Sequence, residues 1–334
     1  MSVGLNKSTL GAIGAILLAL VSIMWAAPQE GAAHLRERES KQASRAAQQF
    51  NGGSAIKGKY ESRLPAPVHF QEVEGRGLLV SVWVNGVGEY TFALDTGAGA
   101  TILSERVGRE ARVLFNGNQA KISGLSGAGS AVGREAVVKS LAIGERENFL
   151  PSKSPVIVTG ALPPGIDGVL DPTESYWPLG YSIDMPDSEI SAFDPYVNPV
   201  RPGDAPPDGA VAPWLTDGHT RRPFVMLDLG RRALLDTGSG FGLAMNESVA
   251  RASGIMIGEG RERDSVRDLG GGQIAARRIA PVTVRIGSLI LRRIPTDLVS
   301  GVESGAPILL GREALQPFHI TFDPANRLIR LAPR

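Results

Sequence analysis

Two acids stand out by what surrounds them. Asp95 ends the apolar run Phe92-Ala-Leu and is followed by Thr96 and Gly97; Asp236 ends Ala233-Leu-Leu and is followed by Thr237 and Gly238. One Asp-Thr-Gly is an ordinary turn composition. Two copies 141 positions apart, each closing an apolar run, call for a shared explanation. Two carboxyls held close together cannot both ionise cheaply, so one keeps its proton. Such a pair can take a proton from a water held between them and give one to a carbonyl oxygen. That chemistry cleaves an amide with no covalent intermediate and no metal. The hydroxyls of Thr96 and Thr237 suit a bond tying the two turns together. Gly97 and Gly238 let backbone approach backbone, so that their amides can face the carboxylates.

The elements that must position these acids recur in the same order. Leu78–Val84 reads as a strand, Asn85-Gly86 as a hairpin turn, and Tyr90–Leu94 as the returning strand that delivers Asp95. A Gly-rich tip follows at Gly124, Gly127 and Gly129, then strands, then the closure Gly165-Ile-Asp-Gly-Val-Leu170. In the second half Phe224–Leu229 and Arg232–Leu235 form the hairpin ending in Asp236, and Asn246 is a candidate cap for a short helix. Gly270, Gly271 and Gly272 form the second tip, and Pro307-Ile-Leu-Leu310 the second closure. Leu170 follows Asp95 by 75 positions and Leu310 follows Asp236 by 74. This match predicts a duplicated, pseudo-symmetric pair of units.

The remaining chain divides around these units. Leu10–Ala27 is almost wholly apolar behind Lys7 and predicts a membrane helix over residues 1–27, as a signal anchor or signal peptide. Residues 28–66 are polar, of mixed charge, and read as a flexible tether or pro-segment. The first lobe is expected over 67–194, a Pro-rich linker with six Pro over 195–222, and the second lobe over 223–334. The body is expected on the exported side of a membrane, in a periplasm. A formal net charge of +1 gives no case for nucleic acid, and the absence of Cys excludes disulfides, thiolate catalysis and Cys-based zinc sites.

Leu94-Asp-Thr-Gly-Ala98 and Leu235-Asp-Thr-Gly-Ser239 resemble the active-site loops of aspartic proteases of the retropepsin and pepsin clan. Ile308-Leu-Leu-Gly-Arg-Glu-Ala-Leu315 is similar to the closing segment of retropepsin-like proteins, and Ile166-Asp-Gly-Val-Leu170 to that of pepsins. The resemblance spans roughly residues 70–334 and is greatest to bacterial retropepsin-like proteases with both lobes in one chain. It implies a mostly β, bilobal acid-protease fold: two pseudo-symmetric β-barrel-like lobes with a cleft between them. It further implies Asp95 and Asp236 as the catalytic pair and Thr96, Gly97, Thr237 and Gly238 as their support. The Gly-rich tips become flaps over an extended polypeptide substrate, in a chain that needs no second copy. One position departs from the pattern: Asp171 stands where the family has a glycine. A shifted loop and a third carboxylate beside the pair are both open.

Other chemistries fit poorly. Gly127-Ala-Gly129 lacks the third glycine and the βαβ surroundings of a dinucleotide site, and no Gly-x-Ser-x-Gly is present. The four His, at 34, 69, 219 and 319, show no ligand spacing, so no metal or other cofactor is expected. The arginine pairs at 277–278 and 292–293 read as solvated strand faces. A peptide-binding module that does not cut, or an envelope scaffold, would use the same two lobes.

Overall fold

The computed structural model describes residues 22–24, 64–125, 130–152, 154–218, 220–267, 272–302 and 305–334. The chain is mostly β, with only short helices among the described residues. Each half builds its own sheet, and a third sheet takes strands from both.

In the first half, Gly77–Val84 and Val87–Leu94 form an antiparallel hairpin. Its turn residues Asn85 and Gly86 have φ of 53° and 75°, the left-handed pair that Asn-Gly adopts with least strain. Leu78, Val80, Val82 and Val84 alternate into the core as a pleated strand requires. Val87–Leu94 then pairs in parallel with Gly168–Leu170, which pairs antiparallel with Ile102–Ser104. Gly168 is needed there, since a Cβ would lie 2.0 Å from the Phe92 ring.

The second half repeats this arrangement. Arg232–Leu235 pairs in parallel with Ile308–Leu310, which pairs antiparallel with Leu243–Asn246. The near-equal spacing read from the sequence corresponds to one backbone contact made twice. Asp95 N donates to Leu170 O at 3.0 Å, and Asp236 N donates to Leu310 O at 2.9 Å. Leu94, Leu170, Leu235 and Leu310 are all fully buried, each stabilising the fold by about 1.5–3 kcal/mol. The short helices after the acid loops also correspond. Ser104 caps Glu105–Glu110, and Asn246 caps Glu247–Ala252 by accepting from Val249 N at 2.8 Å, as the sequence predicts.

The shared sheet runs, in spatial order, Ala210–Pro213, Leu328–Pro333, Phe318–Asp323, Gly180–Asp184, Glu189–Phe193 and Val68–His69. Its centre joins the two halves through pairs such as Ile183–Ile320. Tyr181 stacks on Phe322 at 4.6 Å between centroids, and Trp214 meets Phe322 edge-on at 5.9 Å. The Pro-rich stretch 195–222 corrects its reading as a linker without core elements. It contributes the strand Ala210–Pro213 and buries Val200, Ala210, Ala212 and Trp214. Its prolines punctuate a packed path, and the strand lies at the sheet edge, where a proline is tolerated.

Ser22–Met24 forms a short strand, antiparallel to Lys121–Ser123, where a helix was expected. The rest of the predicted membrane helix and most of the tether lie outside the described residues. Among the described residues no helix is long and apolar enough to cross a membrane. The expected solvated face at Arg277–Arg278 is also corrected. Arg278 donates to both oxygens of the fully buried Asp297 at 2.8 Å and to Glu313 at 2.7 Å, and Arg263 reaches Asp297 at 3.0 Å. Arg277 donates to the Gly258 carbonyl at 3.0 Å. A carboxylate removed from water requires such cations, and periodicity alone did not reveal Asp297.

Candidate active site

The fold places Asp95 and Asp236 side by side at the junction of the two halves. A Cβ at Gly97 would lie 2.8 Å from the carboxyl carbon of Asp236, so the first loop passes against the second acid with room only for glycine. The threonines form a reciprocal lock. Thr96 Oγ1 donates to Leu235 O at 2.6 Å and accepts from Thr237 N at 3.1 Å. Thr237 Oγ1 donates to Leu94 O at 3.2 Å and accepts from Thr96 N at 3.1 Å. Four buried bonds thus cross between the halves and satisfy the polar groups of both turns. The structure brings together Asp95, Thr96, Gly97, Asp236, Thr237 and Gly238.

Both acids are fully buried, and the Oδ2 atoms of both lack a hydrogen-bond partner among the described residues, so a proton on one of the two carboxyls relieves their repulsion. Asp95 Oδ1 accepts from Gly97 N at 2.7 Å, and Asp236 Oδ1 accepts from Ser239 N at 3.1 Å. Burial, followed by repulsion from Asp236, holds the Asp95 carboxyl well above the usual range. Burial also raises Asp236, to about 6; interaction with Asp95, the Ser239 and Gly238 amides and the Arg312 guanidinium oppose that rise. A pair in this setting holds one proton over a range that lies above the usual carboxylate pKa.

Beneath the two loops the symmetry breaks. In the second half Gly311 follows Leu310, and a Cβ there would lie 2.4 Å from Phe241 O and 2.7 Å from Ser239 O. Gly311 N donates to Gly242 O at 2.9 Å. The next residue, Arg312, donates through Nη1 to the carbonyls of Thr237 at 2.8 Å and Gly238 at 3.0 Å. Its Nε pairs with Glu72 of the first half at 3.0 Å, and Gln316 also reaches Glu72. In the first half Asp171 occupies the place of Gly311. Its N donates to the Thr101 side chain at 3.2 Å instead of to a backbone carbonyl. Its Oδ1 caps the turn Pro172–Ser175, accepting from Thr173 N at 2.8 Å and Thr173 Oγ1 at 2.7 Å. Its Oδ2 is buried without a hydrogen-bond partner among the described residues. Burial, followed by repulsion from Glu174, pushes this carboxyl up to about 7. Of the two possibilities left open by the sequence, the structure supports a further carboxyl acting on Asp95, with the bonding around Asp171 differing from that around Gly311.

The Gly-rich tips are the ends of hairpins. Leu114–Ser123 pairs with Ser130–Val137, and Arg261–Arg267 with Gln273–Ile286. Gly127, Gly129, Gly270 and Gly271 lie outside the described residues; Gly124 and Gly272 lie within them. Gly124 and Leu125 line a cavity of 580 Å³ with Phe224, Met226, Arg232 and Ile308 of the second half. Leu125 is buried in the same apolar cluster as Phe224, Leu234 and Phe241. Gly124 and Leu125, the described residues at this end of the first hairpin, therefore pack against the opposite half.

Sequence reasoning assigned no role to Arg312, Glu72 or Leu125. Arg312 lay within a quoted motif, and an arginine directly after a closure glycine was its visible signal. Glu72 gave none, because its partner is 240 positions away. His319, left unassigned, pairs through Nδ1 with Asp184 at 2.8 Å. Among the described residues no cluster of His, Asp and Glu could hold a metal ion.

A search of curated proteins returns no match to the chain. Residues 80–170 match the family model described as aspartyl protease, a stretch running from the strand before Asp95 through the closure at Leu170. With the acid loop built as above, that match supports placing the chain in the aspartic protease clan.

Proposed function

We propose that the chain is an aspartic endopeptidase in which Asp95 and Asp236 activate one water against a peptide bond. The observation that carries this reading is the buried carboxyl pair, set in matching loops and locked by the crossed threonine bonds. The ionised carboxyl takes a proton from the water as its oxygen adds to the carbonyl carbon. The protonated carboxyl gives its proton to the carbonyl oxygen. The resulting diol collapses as the C–N bond breaks, one carboxyl protonating the amine and the other recovering the hydroxyl proton. Burial strengthens each of these electrostatic interactions by excluding water.

The substrate is an extended polypeptide lying between two acid-protease lobes of one chain. The apolar stretch that begins at Leu10 serves as the export signal, with the body on the exported side of a membrane and exported or membrane proteins as substrates. The test is incubation of the full chain with an unfolded protein from acid to neutral pH, beside Asp95→Asn and Asp236→Asn. Cleavage by the wild type, lost in both variants and blocked by a statine-type inhibitor, is expected. Binding of peptides with no cleavage at any pH would reject the enzyme in favour of a binding module.

A further inference from the structure

Resting on that proteolytic reading, we propose that the two unlike closures polarise the acid pair: Asp95 carries the shared proton, and Asp236 is the carboxylate that deprotonates the water. The asymmetry lies in position. The two acid loops share the backbone bond to the closure and the threonine lock, and differ in their amides: Gly97 serves Asp95, while Gly238 and Ser239 serve Asp236 and already favour its ionised form. A further difference comes from the residues that follow. Beneath Asp236 lies a guanidinium, bound to the carbonyls of Thr237 and Gly238 and therefore fixed in place. The matching segment under Asp95 begins with Asp171-Pro172 and offers a carboxyl and no cation. A cation beside an acid favours its ionised form, and a neighbouring carboxyl disfavours it.

The other groups facing the pair leave this bias standing. The Gly97 amide serves Asp95, whereas the amides of Gly238 and Ser239 serve Asp236. Glu72 pairs with Arg312 from its outer side and is itself partly exposed, so water screens its charge. On the first side Glu174 stands behind Asp171 and is itself paired with Arg221, so the bias there comes from the Asp171 carboxyl. The phenol of Tyr181, buried nearby, stays neutral.

The step follows with its protons placed. Water oxygen bonds to the peptide carbon while its proton passes to Asp236, and the Asp95 proton passes to the carbonyl oxygen. On collapse Asp236 protonates the leaving amine, and Asp95 regains its proton from the diol. Asp171 and Arg312 touch neither water nor substrate in this scheme; they are positioning residues for charge.

Carbon-13 labelling of the aspartate carboxyls in the full chain tests the assignment without needing activity. Asp95→Asn and Asp236→Asn identify the two resonances, and a pH titration reads which ionises first in the wild type. The expected order is Asp236, then Asp95. Asp171→Asn keeps an oxygen for the helix cap and should lower the Asp95 midpoint. Arg312→Gln should raise the Asp236 midpoint, and Arg312→Lys should restore part of that change. Ionisation of Asp95 first overturns the proposal, as does an order and spacing unmoved by Asp171→Asn and by either Arg312 variant. If Arg312→Gln does not fold, the wild-type order, Asp171→Asn and Arg312→Lys decide. Failure to cleave any substrate would reject the proteolytic reading, while the carboxyl titration would still decide the polarity.

Discussion

The two halves are nearly identical where they meet and unlike one residue further on. Around Asp95 and Asp236 the strand pairing, the amide bonds to Leu170 and Leu310 and the threonine contacts are matched. At the closures, Gly311-Arg312 packs directly under its acid loop, whereas Asp171-Pro172 turns its own side chain into a helix cap. A duplicated fold can thus hold two chemically identical groups and still give them different surroundings. The symmetric contacts preserve the site's geometry, and the asymmetric ones set its charge.

The most severe way to break this comparison is to remove either acid. Asp95→Asn and Asp236→Asn should each lower cleavage roughly a thousandfold or more, measured as kcat/KM on a peptide substrate. A variant that retained substantial activity would remove that acid from the mechanism. In the wild type, activity should require the singly protonated pair, so its acid limb should lie near pH 6, the value to which Asp236 is raised. A pH–kcat/KM profile with its maximum below pH 4 would contradict that.

The closures should respond with opposite signs. Arg312→Met strands the carbonyls of Thr237 and Gly238 and frees Glu72. It should cost about 2–4 kcal/mol in urea unfolding. Asp171→Asn should instead stabilise the protein at pH 8, by about 1–3 kcal/mol. The sign follows from the raised carboxyl. The folded state binds this proton more tightly than the unfolded chain does, so its stabilising contribution is present in acid and is lost as pH rises from about 4 through about 7. Above that range the wild type carries a buried charge that the amide lacks, and below about pH 4 the difference should vanish. Equal stability of the two proteins at pH 8 would mean that Asp171 is better solvated than its burial indicates.

The matched contacts offer the converse check. Thr96→Val and Thr237→Val should each cost about 2 kcal/mol, because each removes one donor and one acceptor from a buried lock. Costs differing severalfold would show the lock to be asymmetric too. The smallest effects belong to the helix caps: Ser104→Ala and Asn246→Ala should each cost about 1 kcal/mol.

Much of the site was legible because it is local. An acid closing an apolar strand, with threonine and glycine behind it, specifies a turn whose bonds lie mostly within a few residues. Its second copy, at matched spacing, specified the pairing partner. The hairpin at Asn85-Gly86 and the cap at Asn246 were legible for the same reason. What was missed depended on distant partners. Arg278 read as a surface residue until Asp297 came across from the neighbouring strand, and the prolines of 195–222 hid a strand whose partner, Leu328–Pro333, lies near the chain end.

Sequence by itself determined that two equivalent acids exist, which residues flank them and where each unit closes. These properties belong to composition and spacing, and strand periodicity conveys them. Only the tertiary structure decided that a six-stranded sheet drawn from both halves joins the units, that Leu125 seats against the opposite half, and that a guanidinium lies beneath one acid and a carboxyl beneath the other. Burial and charge depend on which groups come within a few ångströms of each other, and in this chain those groups are often seventy or more residues apart.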